Sequence, residues 1–169
     1  KTVFESGALN PDGSVAGNIN DADRTRYEPH YKVIDDDSQV QIYEAIMVDP
    51  QDRVTTGLLK AIRFVKDNRI LPKGFDKASA HRDIAVKGAA DEDQNFNGGE
   101  DTIIYRIPVP SGSSPLRIEA RLWYQPIGFR WAQNLKQQQA AEIDRFVSYF
   151  NNNSEQSGIV MAKDTKSVK

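Results

Sequence analysis

Four stretches of the chain alternate apolar and polar residues on the period of two that a half-buried strand requires. "TVFES" opens the chain. "SQVQIYEAIMVD" (38–49) places Val40 and Ile42, then Ile46 and Val48, on one parity. "EDTIIYRIPVP" and "PLRIEARLWYQPI" follow, the second with Leu116, Ile118, Ala120, Leu122 and Tyr124 alternating with Arg117, Glu119, Arg121 and Trp123. The short loop "PSGSSP" between these two predicts a β-hairpin, and Pro108 and Pro110 limit pairing at the end of its first strand. "SGIVMAKDT" predicts a last strand. From Phe129 to Phe150 the period lengthens: Leu135, Ile143, Phe146, Val147 and Phe150 share one helical face. Gly128 precedes that helix and Asn151–Asn153 is expected to end it. "TTGLLKAIRFVKDNRI" fits either period, and the expectation taken is a strand entering a turn at "LPKG".

Three polar stretches, residues 10–37, 67–77 and 89–101, read as loops. Strands followed by one late helix and a final strand predict a mainly β fold. The expected form is an antiparallel β-sandwich, Ig-like or jelly-roll-like, with one amphipathic helix at an edge. A chain of 169 residues suits a single domain over residues 1–169, with residues 151–169 holding the last strand and a flexible C-terminal tail. The alternation begins at once from Lys1, so the chain is expected to continue upstream.

Composition narrows the chemistry. There is no cysteine, which excludes disulfides, thiolate catalysis and a CxxCH haem attachment within these residues. Mean hydropathy is −0.60, and no apolar run approaches the roughly 20 residues of a bilayer span. The formal net charge of −2 is unevenly spread: −6 over residues 1–56, +5 over 57–90 and −1 over 91–169. The basic stretch suits a solvated face or an anionic partner surface, and does not by itself indicate nucleic acid. No P-loop, GxSxG, HExxH or GxGxxG is present, so no enzyme is expected.

Candidate sites remain. In "DEDQNFNGGED", Asp93, Asn95, Asn97 and Asp101 take positions 1, 3, 5 and 9 of a calcium-loop spacing, with Gly98 at the bend. The twelfth position, Ile104, offers no carboxylate, and the same residues also make an ordinary turn. A second cluster, Asp21, Asp23 and Glu28, could ligate calcium or pair with Arg24 and Arg26. His30, between Tyr27 and Tyr31, is either a packed imidazole or a ligand; His81 lies in a polar stretch and is expected to be exposed. Trp123, Tyr124, Phe129 and Trp131 line either a core or a sugar-binding face.

The segments "VFESGALNPDGSVAGNINDADRTRYEPHY", "ILPKGFDKA" and "LWYQPIGFRWAQNL" carry a resemblance. With their motifs "VFESG", "EPHY", "KDNR" and "YQPIGFRWA", they resemble the C-terminal, non-haem portion of bacterial multihaem cytochrome c family proteins, from Val3 to about Phe150. The resemblance implies a periplasmic or otherwise extracytoplasmic electron-transfer setting, with haem upstream and none in this chain. It implies a structural or docking role against the haem-bearing region of the same polypeptide or a redox partner protein, and makes His30 a candidate axial haem ligand. The alternative is a calcium- or carbohydrate-binding β-sandwich module.

Overall fold

The computed structural model describes every residue except Ala22, Arg24, Ser114 and Lys169. Contacts divide the chain into two compact units: residues 17–106, and residues 1–16 together with 107–169.

The unit of residues 17–106 is built on a three-stranded antiparallel sheet. β2 (Ala45–Val48) lies between β3 (Val54–Thr55) and β4 (Arg63–Asp67). Ile46, Met47 and Val48 are all buried. Three consecutive buried side chains mean that both faces of β2 are covered, which is why its sequence is a continuous apolar run. Asp49 closes the β2–β3 turn: Oδ1 accepts the backbone N–H groups of Gln51 and Arg53, and Oδ2 accepts the Arg53 side chain. The ambiguous stretch resolves as a turn over residues 57–60 followed by a strand, so Leu58 and Leu59 are exposed while Val65 packs inward. A second, parallel pair joins β1 (Val33–Ile34) to β5 (Ile104–Tyr105). Two apolar clusters fill the unit: Ile46, Val48 and Val54 with Tyr27 and Val65, and Leu71, Val86, Ala90 and Phe96 with Tyr43 and Phe75.

The other unit is a long antiparallel ribbon of β6 (Leu116–Tyr124) and β7 (Ile159–Val168), with α1 (Phe129–Leu135) and α2 (Ala141–Ser157) in the connection between them. Asn10 to Ala16 folds back as a tight turn, in which the Ser154 hydroxyl donates to Pro11 O and the Gln125 amide to Gly13 O.

Several expectations are corrected. The sheets are small and separate, with no closed barrel and no clear sandwich. The predicted hairpin does not form. Ile104–Tyr105 pairs with β1, and β6 takes β7 as its partner across two helices. "TVFES" forms no strand among the described residues. The one expected helix is two, because between Leu135 and Ile143 the polar run Lys136–Gln139 gives the helix nothing apolar to bury, and Ala140 is extended. Asn151–Asn153 does not end α2, which runs on to Ser157; Asn153 donates its amide to Tyr149 O one turn back. β7 extends through the segment expected to be a tail.

Candidate functional site

The chemistry-bearing side chains of residues 17–106 meet around His30, whose side chain is fully buried. Four separate segments deliver them. "EPHY" supplies Glu28, His30 and Tyr31; "QIYE" supplies Gln41, Tyr43 and Glu44; "KDNR" supplies Lys66 and Asn68; "DQNFNGGED" supplies Asp93, Phe96 and Asp101. The last segment fits because Gly98 has no side chain: a Cβ there would stand 2.6 Å from Phe75 O and 2.8 Å from Phe75 N.

The hydrogen bonds fix the tautomer of the ring. Gln41 Oε1 accepts the Tyr31 backbone N–H at 2.8 Å, and Asn68 Oδ1 accepts that of Glu44 at 2.9 Å. Both amide groups therefore turn their NH2 ends inward, to His30 Nδ1, at 2.8 Å from Gln41 and 3.1 Å from Asn68. Asn68 also donates to Ile42 O. With two donors facing Nδ1, that nitrogen is the acceptor and the proton sits on Nε2, which donates to Asp93 Oδ2 at 3.2 Å. The Phe96 ring packs against the imidazole with centroids 5.0 Å apart.

Asp93 is nearly sealed from solvent. Burial alone would raise its carboxyl. The Asn95 backbone N–H, the His30 hydrogen bond and the nearby Lys32 charge outweigh that and hold it below the usual carboxylate range. Lys77 donates to the backbone oxygens of Asp93 and Ala90, which pins the loop itself. Asp101 completes the group: Oδ2 accepts the Tyr43 hydroxyl and Oδ1 the Thr102 N–H, both at 2.7 Å. Burial, with Asp101 alongside, pushes the Tyr43 hydroxyl upward.

A second buried set adjoins in sequence. Lys66 donates to Ile42 O at 2.9 Å and Glu44 Oε1 at 3.0 Å. Burial lowers its pKa, while Glu44, Glu28 and Asp21 pull the other way. Glu28 accepts the Asn20 amide at 2.7 Å and the Tyr31 hydroxyl at 2.9 Å. Burial, then Glu28, raises Tyr31.

The proposed calcium residues part company in this arrangement. Asp93 and Asp101 come together with His30, each offering a ligand atom within 4.8 Å of the others. Asn95 is exposed, and the Asn97 amide donates to Gln94 O. In the cluster of Asp21, Asp23 and Glu28, Asp23 holds the Thr25 N–H and hydroxyl and lies 3.4 Å from Arg26 Nε, whereas Glu28 turns into the core. The expected partner Arg24 lies outside the described residues. His81 is exposed beside Asp83. Of the four aromatics, Tyr124 and Trp131 are exposed, and Trp123 and Phe129 are half-buried.

The arrangement limits what His30 can do. A general base must turn a lone pair toward substrate, and an imidazole that binds metal normally donates its other N–H to an acceptor. Here the one lone pair faces two donors inside the fold. To ligate a metal or haem through Nε2, the ring would carry its proton on Nδ1, against the NH2 groups of Gln41 and Asn68. Turning either amide would set its NH2 against a backbone N–H. Gln41 is a single polar position between Val40 and Ile42, and that placement is itself a signal; Lys66 and Asn68 lie in the polar run Lys66–Arg69, where nothing local marks them as buried.

Comparison with known proteins brings no match: no family model fits the chain, and no curated protein or solved structure is similar to it.

Proposed function

We propose that the chain is a non-catalytic structural and docking domain of an extracytoplasmic, multihaem cytochrome c-like electron-transfer polypeptide. The observation that carries the non-catalytic part is the closure of the His30 group. Both ring nitrogens, both amides and both aspartates bond to partners within the fold, so this cluster fixes a shape and presents no reactive atom. The setting rests on the resemblance, and "EPHY" and "KDNR" are the same motifs that build the group. The absence of cysteine agrees with a region that carries no attached haem of its own.

The test is the polypeptide in which this chain occurs. Upstream of Lys1 it should carry CxxCH repeats and purify with c-type haem bands, whereas this chain alone gives no Soret band. His30→Ala in that polypeptide should lower the melting temperature and leave every haem's spin state unchanged. A sequence without CxxCH overturns the setting. A low-spin to high-spin change would instead assign His30 to a haem.

A second reading, a divalent-cation module, is favoured by one observation: a histidine and two aspartates within 4.8 Å of one another. It predicts a melting temperature that rises with millimolar calcium or micromolar zinc and falls with EDTA, by the equivalent of about 2.7 kcal/mol at a hundredfold excess over Kd. A melting curve indifferent to all three removes it.

A further inference from the structure

We propose that one face of the β6–β7 ribbon is the contact between two copies of this chain. Cross-strand partners and residues two apart share a face of a ribbon. The register pairs Ile118 with Lys166, Ala120 with Asp164 and Leu122 with Ala162. These residues therefore form one face, continued by Leu116 and Val168 at one end. Ile118 is 52% exposed and Val168 40%. A two-stranded ribbon with an uncovered apolar face is marginal in water, and the face extends over the length of β6.

The opposite face is already satisfied. Glu119 is held between Arg117, Arg121 and Lys163. On the apolar face, Asp164 and Lys166 make no ion pair among the described residues.

The occupant follows from how that face matches itself. Let a second ribbon stack on the first with its strands reversed, about a two-fold axis that crosses the strands midway between the Ile118–Lys166 and Ala120–Asp164 pairs. Asp164 then faces Lys166 of the other copy, and by symmetry Lys166 faces Asp164, giving two ion pairs. The same operation sets Ala120 against Ile118 and Ala162 against Val168, small against large, so the side chains interdigitate at the roughly 10 Å spacing of stacked sheets. Leu122 meets Leu116. Charge and size match in one register, and the match needs no other partner.

The area sets the strength. Nine residues of a two-stranded ribbon give a face of about 30 by 10 Å, or about 300 Å2 per copy. That is well below the roughly 1,200 Å2 total of a stable interface, so the dimer is weak and concentration-dependent.

Sedimentation equilibrium on the purified chain, from about 10 μM to about 1 mM, reads the association constant. The expected result is a reversible monomer–dimer equilibrium within that range. Lys166→Asp alone and Asp164→Lys alone each set like charges across the two-fold and should weaken association about tenfold. The double variant Asp164→Lys with Lys166→Asp restores opposite charges and should recover it. These positions are exposed, and unchanged circular dichroism confirms that the variants fold. A monomer throughout the range, single variants that associate like the parent, or a double variant that stays as weak as the singles would each overturn the proposal.

Discussion

The group around His30 and the β6–β7 ribbon use polar residues in opposite ways. Around His30, side chains from four segments are brought together out of water, and each donor finds an acceptor in the fold. Leaving such a buried group without its partner costs about 1–3 kcal/mol, more where a charge is involved. On the ribbon every residue of β7 is exposed, and Asp164 and Lys166 on one face make no ion pair among the described residues. The first region is costly to alter and has little to offer a ligand. The second is cheap to alter, and one of its faces carries two charges, Asp164 and Lys166, that make no ion pair among the described residues. Shape is set in residues 17–106, and contact is offered on the ribbon.

That contrast predicts a graded response to substitution. Phe96 is fully buried and packs on His30 and Tyr43, so Phe96→Ala should destabilise by about 3–5 kcal/mol in urea unfolding. A loss under 1 kcal/mol would mean that the cluster is loosely packed. His30→Ala strands two amide donors and the Asp93 carboxylate together, and should cost about 3 kcal/mol by the same measurement. On the ribbon, Ile118→Thr at dilute protein concentration should shift stability by no more than about 0.5 kcal/mol.

A pH series sharpens the comparison. The Asp93 carboxyl is held below its unfolded range, so in the window between the two values the unfolded chain binds more protons than the folded one. The stabilisation is complete above about pH 5 and is lost as pH falls through the unfolded range near 4 and on to the depressed folded value. Asp93→Asn should therefore show a shallower loss of stability in acid than the parent chain. Equal slopes would show that Asp93 is not stabilised as a carboxylate.

Parts of this were legible in the sequence. The strand character of Leu116–Tyr124 and the final strand follow from local periodicity, whereas the alternation over 38–49 predicts a half-buried strand and the structure buries Ile46, Met47 and Val48 together. The partner of β6 did not, because the rule that neighbouring strands pair selects "TIIYRIPVP", while the chain places two helices before the real partner. The apolar positions of α1 and α2 share one face on either side of a polar gap, so periodicity alone joins them into one helix. Local sequence sets His30 between Tyr27 and Tyr31, yet its decisive partners are Gln41, Asn68 and Asp93. Asp93 lies 63 residues away, and periodicity carries no information across that distance. Asp93 and Asp101 carry the oxygen donors that the spacing predicts beside a glycine bend, and the fold brings one ligand atom of each within 4.8 Å of one another and of a His30 nitrogen, but their oxygens already accept from His30, Tyr43 and backbone N–H groups.

The most direct test is the state of the His30 ring. Long-range 1H–15N correlation spectra of the uniformly labelled chain distinguish protonated from unprotonated ring nitrogens. Only two histidines contribute, and His30→Ala assigns the signals. A closed group predicts a protonated Nε2 and an unprotonated Nδ1, unchanged by zinc or calcium. A proton on Nδ1, or an Nε2 signal that moves on addition of either ion, would contradict it.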